Sequence, residues 1–407
     1  MTTNAASVDL SREIRRLLQI ALTIFIFTVV IGILNGTDLV DFEVKELLAH
    51  VHSGTLGWIT LCGIAGGMWL FQGAPGPTWH ASLPRLITYV APVFIVVYVA
   101  AFWSTTGTFR PIMGTAVGVI LLLFLVWIVA RARYVTLTVP HVGFLAAAAT
   151  SVSGAVFGIL LGLQLATGDQ YLPEDGEDAH PATMVIGFLI PVGMSLAELG
   201  LYGFRGLSPA GRLGALQIGF PFVGGILVAL GILLDARPLI GLSLPFEILG
   251  IAILLKRLGP DLVKAVAGPS PAGRLAAFSA AFLLVNISFF VYLVIHYEGD
   301  FDLVPEHLLL GLDHMMFIGV ITNSVLALVY LATRARTSIL PQADAIIVAA
   351  INGGLITFAV GLIAEVTVLK QIGTPIMGGG ILLAILVFTL RLRLWEPAAE
   401  LEPLAST

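Results

Sequence analysis

Long apolar runs recur along the whole chain and constrain its fold more than any other feature of the sequence. A membrane-spanning helix needs about 20 mostly apolar residues, and a helix satisfies its own backbone hydrogen bonds in hydrocarbon. Twelve runs approach or exceed this length, at residues 17–34, 50–71, 86–104, 112–130, 141–166, 180–204, 216–234, 239–255, 277–296, 307–333, 345–369 and 376–390. The sequence therefore predicts an all-α integral membrane protein with twelve transmembrane helices. We expect membrane lipid to be a partner of these helices.

The composition agrees with a lipid environment and excludes two other classes of protein. Charged residues make up 11% of the chain and hydrophobic residues 58%, whereas soluble proteins carry about 25% charged residues. The 20 basic residues are outnumbered by 25 acidic residues, so we expect no nucleic-acid partner. Cys62 is the single cysteine, which excludes a disulfide scaffold.

The basic residues predict the orientation of the helices. Sixteen of the 20 lie in the N-terminal segment, near the connections that follow even-numbered runs, or at the C-terminal end. Positively charged connections stay in the cytoplasm, so both termini are predicted to be cytoplasmic. The opposite connections are acidic, around residues 38–46, 169–178 and 298–306. We expect a multi-pass protein of a bacterial-type inner (plasma) membrane.

The chain has no long hydrophilic insertion, which predicts a single membrane domain. This domain covers residues 17–393, between a cytoplasmic N-terminal segment, 1–16, and a cytoplasmic C-terminal tail, 394–407. Internal similarity, described below, divides it into three predicted repeats of four helices, at residues 17–130, 141–255 and 277–390.

Histidines cluster at one side of the predicted membrane domain. Six of the eight are expected at outer helix ends, on the second, sixth, ninth and tenth runs: His50, His52, His180, His296, His307 and His314. A single histidine there is more often an interfacial residue bonded to a loop. Ionisable side chains at membrane depth are costly and tend to face a bundle interior, so six on one side predict a functional site.

The openings of the second, sixth and tenth runs resemble one another. When Gly57, Gly187 and Gly319 are aligned, His50 lies opposite His180. The same alignment places His52 opposite His314. This recurrence every four helices predicts three quasi-equivalent four-helix arcs.

The spacing of His50 and His52 favours two sites over one. Residues i and i+2 of a helix point about 200° apart, so the two imidazoles cannot share one small metal ion. They can serve separate sites on opposite flanks of the helix. Haem iron takes axial imidazoles from facing helices, and Gly54 and Gly57 leave room beside this one. The pattern predicts one or two haems.

The stretch from Ala49 to Trp58 resembles the paired-histidine helix of haem-copper oxidase catalytic subunits, especially the branch with b-type haems. This resemblance implies haem b, with the first histidine of the pair on a high-spin haem and the second on a low-spin haem. It also implies twelve helices in three arcs, with metal-binding histidines on the second, sixth and tenth helices near the outer side.

Three departures from the oxidase pattern predict a divergent relative. The paired histidines lie on the second helix here, and on the tenth in the oxidases. The seventh run contains no histidine, so His180 alone remains of the copper ligands and a copper centre lacks its full set. Met184 stands where oxygen-reducing members keep a tyrosine. The chain is also similar to NnrS-type haem membrane proteins linked to nitric oxide.

Carried over position by position, the resemblance implies specific roles. His52 and His314 form the axial pair of a low-spin haem b, and His50 holds a second haem. His180 is then the sixth ligand of that second haem or lies near its open face. His307, two helical turns before His314, either bonds a haem propionate or replaces His314.

Three further residues are proton or propionate candidates. His296 is one, although an interfacial role is favoured for it. Asp313 adjoins His314 but points about 100° away on a helix. Glu365 is the membrane carboxylate that we expect nearest the haem side.

The predicted function is that of a haem-binding redox protein that handles electrons or a diatomic gas, nitric oxide or oxygen. The electron donor is either a quinol or a cytochrome. If the protein turns over substrate, it is an oxidoreductase; the sequence leaves turnover and homodimer formation open. The alternative is a proton-coupled secondary transporter that uses the histidine and glutamate residues. Transporters usually repeat in two halves, so recurrence every four helices favours haem.

Overall fold

The computed structural model describes residues 7–104, 107–174 and 176–393. Within them the chain is helical and forms no strand beyond two isolated bridges. Twelve helices are long and apolar enough to cross a membrane, as predicted: α1 Ser11–Gly36, α2 Val44–Phe71, α3 Trp79–Ser104, α4 Phe109–Arg131, α5 Val139–Thr167, α6 Gly176–Tyr202, α7 Arg212–Leu233, α8 Arg237–Val266, α9 Pro271–His296, α10 Glu306–Arg336, α11 Ala343–Ile363 and α12 Thr367–Arg393.

The helix bounds differ from the apolar runs at several ends. The second run begins at residue 50, but α2 begins at Val44, where the Glu43 and Glu46 side chains form a capping box. His50 and His52 therefore lie inside the helix and do not open it. The predicted N-terminal segment is described only from residue 7, and the predicted C-terminal tail, 394–407, lies outside the described residues.

Three helices form the centre of the bundle. The most apolar windows of α2, α6 and α10 are 89%, 83% and 83% buried, against 33–56% for the other nine helices. The inner helices also contact one another directly, because the Trp58 indole of α2 donates a hydrogen bond to the Thr322 hydroxyl of α10 at 3.2 Å. The outer nine leave large apolar side chains exposed, as lipid contact requires.

Each inner helix changes from α to π geometry near its histidine. The π-helical segments are Ser53–Thr60, Thr183–Leu189 and Met315–Thr322. A π turn lengthens the hydrogen-bonded ring by one residue, and such turns are frequent at functional sites. The widened turn is visible in side chains too, since the Thr60 hydroxyl bonds the carbonyl oxygen five residues before it at 2.9 Å.

The three aligned glycines make the same contact in three places. Gly57 packs against α1, Gly187 against α5 and Gly319 against α9, and a Cβ atom at each would meet a side chain of that helix at 3.0 Å or less. Each inner helix therefore packs closely against the helix that precedes it. A glycine is needed because the neighbouring side chain occupies the volume of a Cβ.

Two buried arginines, Arg131 and Arg391, and the half-buried Arg257 lie at the end of the bundle opposite the histidines. Arg391 of α12 bonds Asp344 at 2.8 Å, and Arg257 of α8 bonds both carboxylate oxygens of Glu198 at 2.9 Å. Arg131 of α4 donates at 2.8 Å to two backbone carbonyl oxygens at and after the end of α2. Buried guanidinium groups need such partners, so these contacts tie connections and helices together at the arginine end.

Candidate functional site

Two of the predicted histidines have the same hydrogen bond on equivalent helices. The Nδ1 atom of His52 donates to the carbonyl oxygen of Leu48 at 2.7 Å. The Nδ1 atom of His314 donates to the carbonyl oxygen of Leu310 at 2.8 Å. Because a carbonyl oxygen only accepts, Nδ1 carries the proton and the lone pair of the neutral ring lies on Nε2. This is the arrangement that presents an imidazole as a metal ligand.

His180 is also protonated on Nδ1, but its hydrogen-bond acceptor lies on a neighbouring helix. Its Nδ1 atom donates to the carbonyl oxygen of Gly154 in α5 at 2.8 Å. One turn further along α5, Gly158 lies beside the ring, and a Cβ atom there would be 2.8 Å from two of its atoms. The imidazole therefore fills a space that only glycine leaves.

His50 has the corresponding position against α1. Its ring faces the backbone of Thr28, and Gly32, one turn later, would carry a Cβ only 3.2 Å from the ring. Thr28 and Gly32 thus match Gly154 and Gly158. The difference is at Nδ1 of His50, which is buried and has no hydrogen-bond partner among the described residues.

Two electrostatic interactions connect the four histidines across the inner helices. His50 interacts electrostatically with His314, and His52 with His180. We call the first pair site A, between α2 and α10, and the second pair site B, between α2 and α6. The oxidase resemblance implies the other combination, His52 with His314 and His50 with His180, whereas the electrostatic interactions favour the pairs named here.

The reason for the different pairing is rotational. Equivalent positions on helices arranged around one centre point to the same flank, so away from the centre a side chain on one flank meets the opposite flank of the next helix. His52 and His314 are aligned positions, and so are His50 and His180. Each site therefore contains one histidine from the aligned position of His50 and His180 and one from the aligned position of His52 and His314.

Aromatic rings support one histidine at each site. His52 stacks on Phe102 of α3, with ring centroids 3.9 Å apart and planes at 22°. His314 lies against Phe358 of α11, with centroids 4.9 Å apart. Both phenylalanines are buried. Neither phenylalanine was predicted from the sequence, and neither were Gly32 and Gly158. Each lies on a different helix from the histidine that it contacts, and no spacing along the chain connects the two.

The remaining candidates lie at the rim or away from the imidazole rings. The Nε2 atom of His307 is 3.8 Å from Glu365 Oε1, and the Glu365 side chain is 75% exposed. His296 is exposed and stacks on Tyr292 with centroids 5.3 Å apart. Within the described residues Asp313 makes no hydrogen bond with the His314 ring, whose Nδ1 bonds Leu310.

The third interface between inner helices, α6 with α10, has no histidine at the aligned positions. Ala182 and Leu312 stand there. The nearby outer helices α7 and α8 hold Glu247, which is fully buried against Gly224 and has no hydrogen-bond partner for either carboxylate oxygen among the described residues.

Comparison with known proteins adds no family to this geometry. No family model and no curated protein matches the sequence. The resemblance to haem-copper oxidases therefore depends on the residues and helix pattern described above.

Proposed function

We propose that this protein is a membrane electron carrier that holds two haem b groups, one at site A and one at site B. His50 and His314 would be the axial ligands at site A, and His52 and His180 at site B. The observation that carries the proposal is the Nδ1 hydrogen bond of His52, His180 and His314, which leaves Nε2 of each ring as a ligand.

The donor set supports haem more than a bare metal ion. Zinc and copper sites in proteins take about three or four protein ligands. Among the described residues no group of three or more His, Cys, Asp or Glu side chains is arranged to hold a metal ion. A porphyrin supplies four equatorial nitrogens, so two imidazoles complete the coordination of its iron.

Two axial imidazoles favour electron transfer over gas reduction, because they leave no coordination position for a substrate. When bound, haem b supplies one-electron redox chemistry. The residues of the chain hold the irons, exclude water through buried Phe102 and Phe358, and fix the imidazole tautomers. A quinol or a cytochrome at the histidine end would be the electron donor.

Binding of a diatomic gas is a second candidate function, at site A. Nδ1 of His50 has no hydrogen-bond partner among the described residues, although the ring lies against the backbone of Thr28 and beside Gly32. Nitric oxide or oxygen could bind the site A iron if His50 left it. Such an activity would resemble that of the NnrS-type proteins, and an oxidoreductase would then be the enzyme class.

We infer the arrangement of the helices in the membrane from the repeated contacts. The glycine contacts of the three inner helices and the arginines of α4, α8 and α12 support three four-helix arcs, α1–α4, α5–α8 and α9–α12. The basic residues support cytoplasmic termini, with the arginine end inside and both sites near the outer side of a bacterial-type inner membrane.

Spectroscopy of the purified full chain tests the proposal. We expect about two haem b per chain, a low-spin six-coordinate reduced-minus-oxidised spectrum, and little change with carbon monoxide. A carbon monoxide shift in half of the haem would favour gas binding at site A. Protein without Soret absorption, after expression with sufficient haem, would eliminate the proposal. His296→Ala is the matched control, because it removes an exposed histidine at the same end.

A further inference from the structure

Arg110 places a positive charge beside site B. It lies near the start of α4, where its guanidinium donates to the carbonyl oxygens of Ala101 at 3.3 Å and Phe102 at 2.9 Å. The same guanidinium lies over the Phe102 ring, 5.0 Å from its centroid. Phe102 stacks on His52, and His52 interacts electrostatically with Arg110. The charge thus belongs to the surroundings of site B.

Lys370 is the counterpart of Arg110 by sequence spacing in the third predicted four-helix repeat. Arg110 precedes Arg131 by 21 residues in α4, and Lys370 precedes Arg391 by 21 residues in α12. Lys370 differs in its partner, because its Nζ atom is 2.7 Å from the carboxylate of Asp38.

The two cations therefore differ in net effect. Asp38 offsets the charge of Lys370. In contrast, no carboxylate of the described residues lies within ion-pair distance of Arg110, whose hydrogen-bond acceptors are neutral carbonyl oxygens. Arg110 therefore keeps a positive charge beside site B, whereas the charge of Lys370 is offset.

We propose that Arg110 makes the two sites inequivalent, because its positive charge beside Phe102 and His52 holds the reduction potential of site B above that of site A. This inference rests on the proposed function. A nearby positive charge favours the reduced iron, which carries one positive charge fewer, and the effect is strong where water is excluded. Charge and hydrogen bonds around a haem are among the ways a protein sets its potential.

A redox titration of the purified holoprotein, followed in the visible spectrum, tests the proposal. Wild type should show two one-electron components, and His180→Ala, which removes a site B ligand, should lose the upper one. Arg110→Gln should lower the reduction potential of the upper component by at least about 59 mV. For one electron this corresponds to a tenfold change in the redox equilibrium constant. Arg110→Lys should keep most of the potential.

Two further variants separate charge from folding. Arg237→Gln is the matched control, because Arg237 is a basic residue at the start of α8, paired with Asp300 at 3.3 Å in the sector without histidines. It should move neither component. Asp38→Asn leaves site B untouched and should raise the lower component, since Lys370 is no longer neutralised.

Opposite results would overturn the inference and leave the proposed function intact. These are two haems whose upper component is unchanged in Arg110→Gln, or a lower component that does not rise in Asp38→Asn. If Arg110→Gln does not fold, Arg110→Met decides, because it removes the charge and keeps an apolar side chain over the Phe102 ring. Wild type without haem would instead contradict the proposed function.

Discussion

The interfaces of the inner helices share one backbone design and differ in chemistry. All three inner helices carry a π segment and a glycine pressed against the preceding helix. Histidine pairs occur at the α2–α10 and α2–α6 interfaces, whereas Ala182 and Leu312 stand at the α6–α10 interface. Each π segment follows a histidine closely in sequence, yet only two of the three interfaces bring two histidine-bearing positions together.

Sites A and B also differ from each other in detail. His180 at site B has a carbonyl partner on α5, while the matching His50 at site A has none for its Nδ1. Arg110 lies beside the Phe102 ring that stacks on His52, whereas its sequence counterpart Lys370 pairs with Asp38. Two sites at matching helix positions thus have different surroundings.

The largest expected effect comes from removing the histidines in pairs. The double variant His50→Ala/His314→Ala should lose one of two haems, because both changes fall in site A. The double variant His52→Ala/His314→Ala should lose both haems, because the changes fall in different sites. Haem per chain, measured as the pyridine haemochrome, distinguishes the two. One haem left in the second variant and none in the first would show that the pairing proposed here is wrong.

A glycine substitution should affect one site without touching a ligand. Gly158→Ala places a Cβ atom 2.8 Å from the His180 ring, so we expect loss of most site B haem while site A keeps its spectrum. Gly219→Ala is the control, since nothing lies within 4 Å of its new Cβ. That variant should keep both haems and gain up to about 1 kcal/mol in helix stability. Equal haem content in both variants would argue against the tight fit of His180.

Substitutions in α6 and α8 near the α6–α10 interface should change the free energy of unfolding and leave the haem content unchanged. Glu247→Met removes two buried oxygens that have no described partner, so we expect the free energy of unfolding to rise by about 1–3 kcal/mol. Glu198→Gln is the contrasting variant, because it leaves the guanidinium of Arg257 without its carboxylate and should cost about 3 kcal/mol. Thermal unfolding in detergent measures both. Loss of haem in Glu247→Met would show that residues near this interface contribute to the sites.

The smallest effect concerns pH at site A. Hydrogen bonds from Lys370 and then Gln371 hold the pKa of Asp38 below its usual value of 3.8. The depressed pKa means that the stabilising pair with Lys370 is fully present above about pH 4 and is lost as the pH falls through the folded-state value. We therefore expect no contribution of Asp38 to the pH dependence of the lower redox component between about pH 5 and pH 8. A slope over this range that Asp38→Asn abolishes would contradict this assignment.

The transmembrane helices could be predicted from the sequence, because each crossing of the hydrocarbon core needs a long apolar segment. Sequence analysis found the regions of all twelve helices and the histidine-bearing sixth and tenth helices, although it began α2 six residues late. It did not reach Phe102, Phe358 or Arg110, because these lie on other helices and no spacing along the chain connects them with His52 or His314. It also could not detect the π segments, because a π turn has no periodicity in the sequence that separates it from an α turn.

Local order along the chain determined which residues lie on the inner helices, since hydrophobic length and the recurrence of histidines every four helices are properties of the chain alone. Which imidazole faces which was decided only by tertiary structure. The direction of a side chain across an interface depends on how each helix is rotated about its own axis, and that rotation is set by contacts with neighbours distant in sequence.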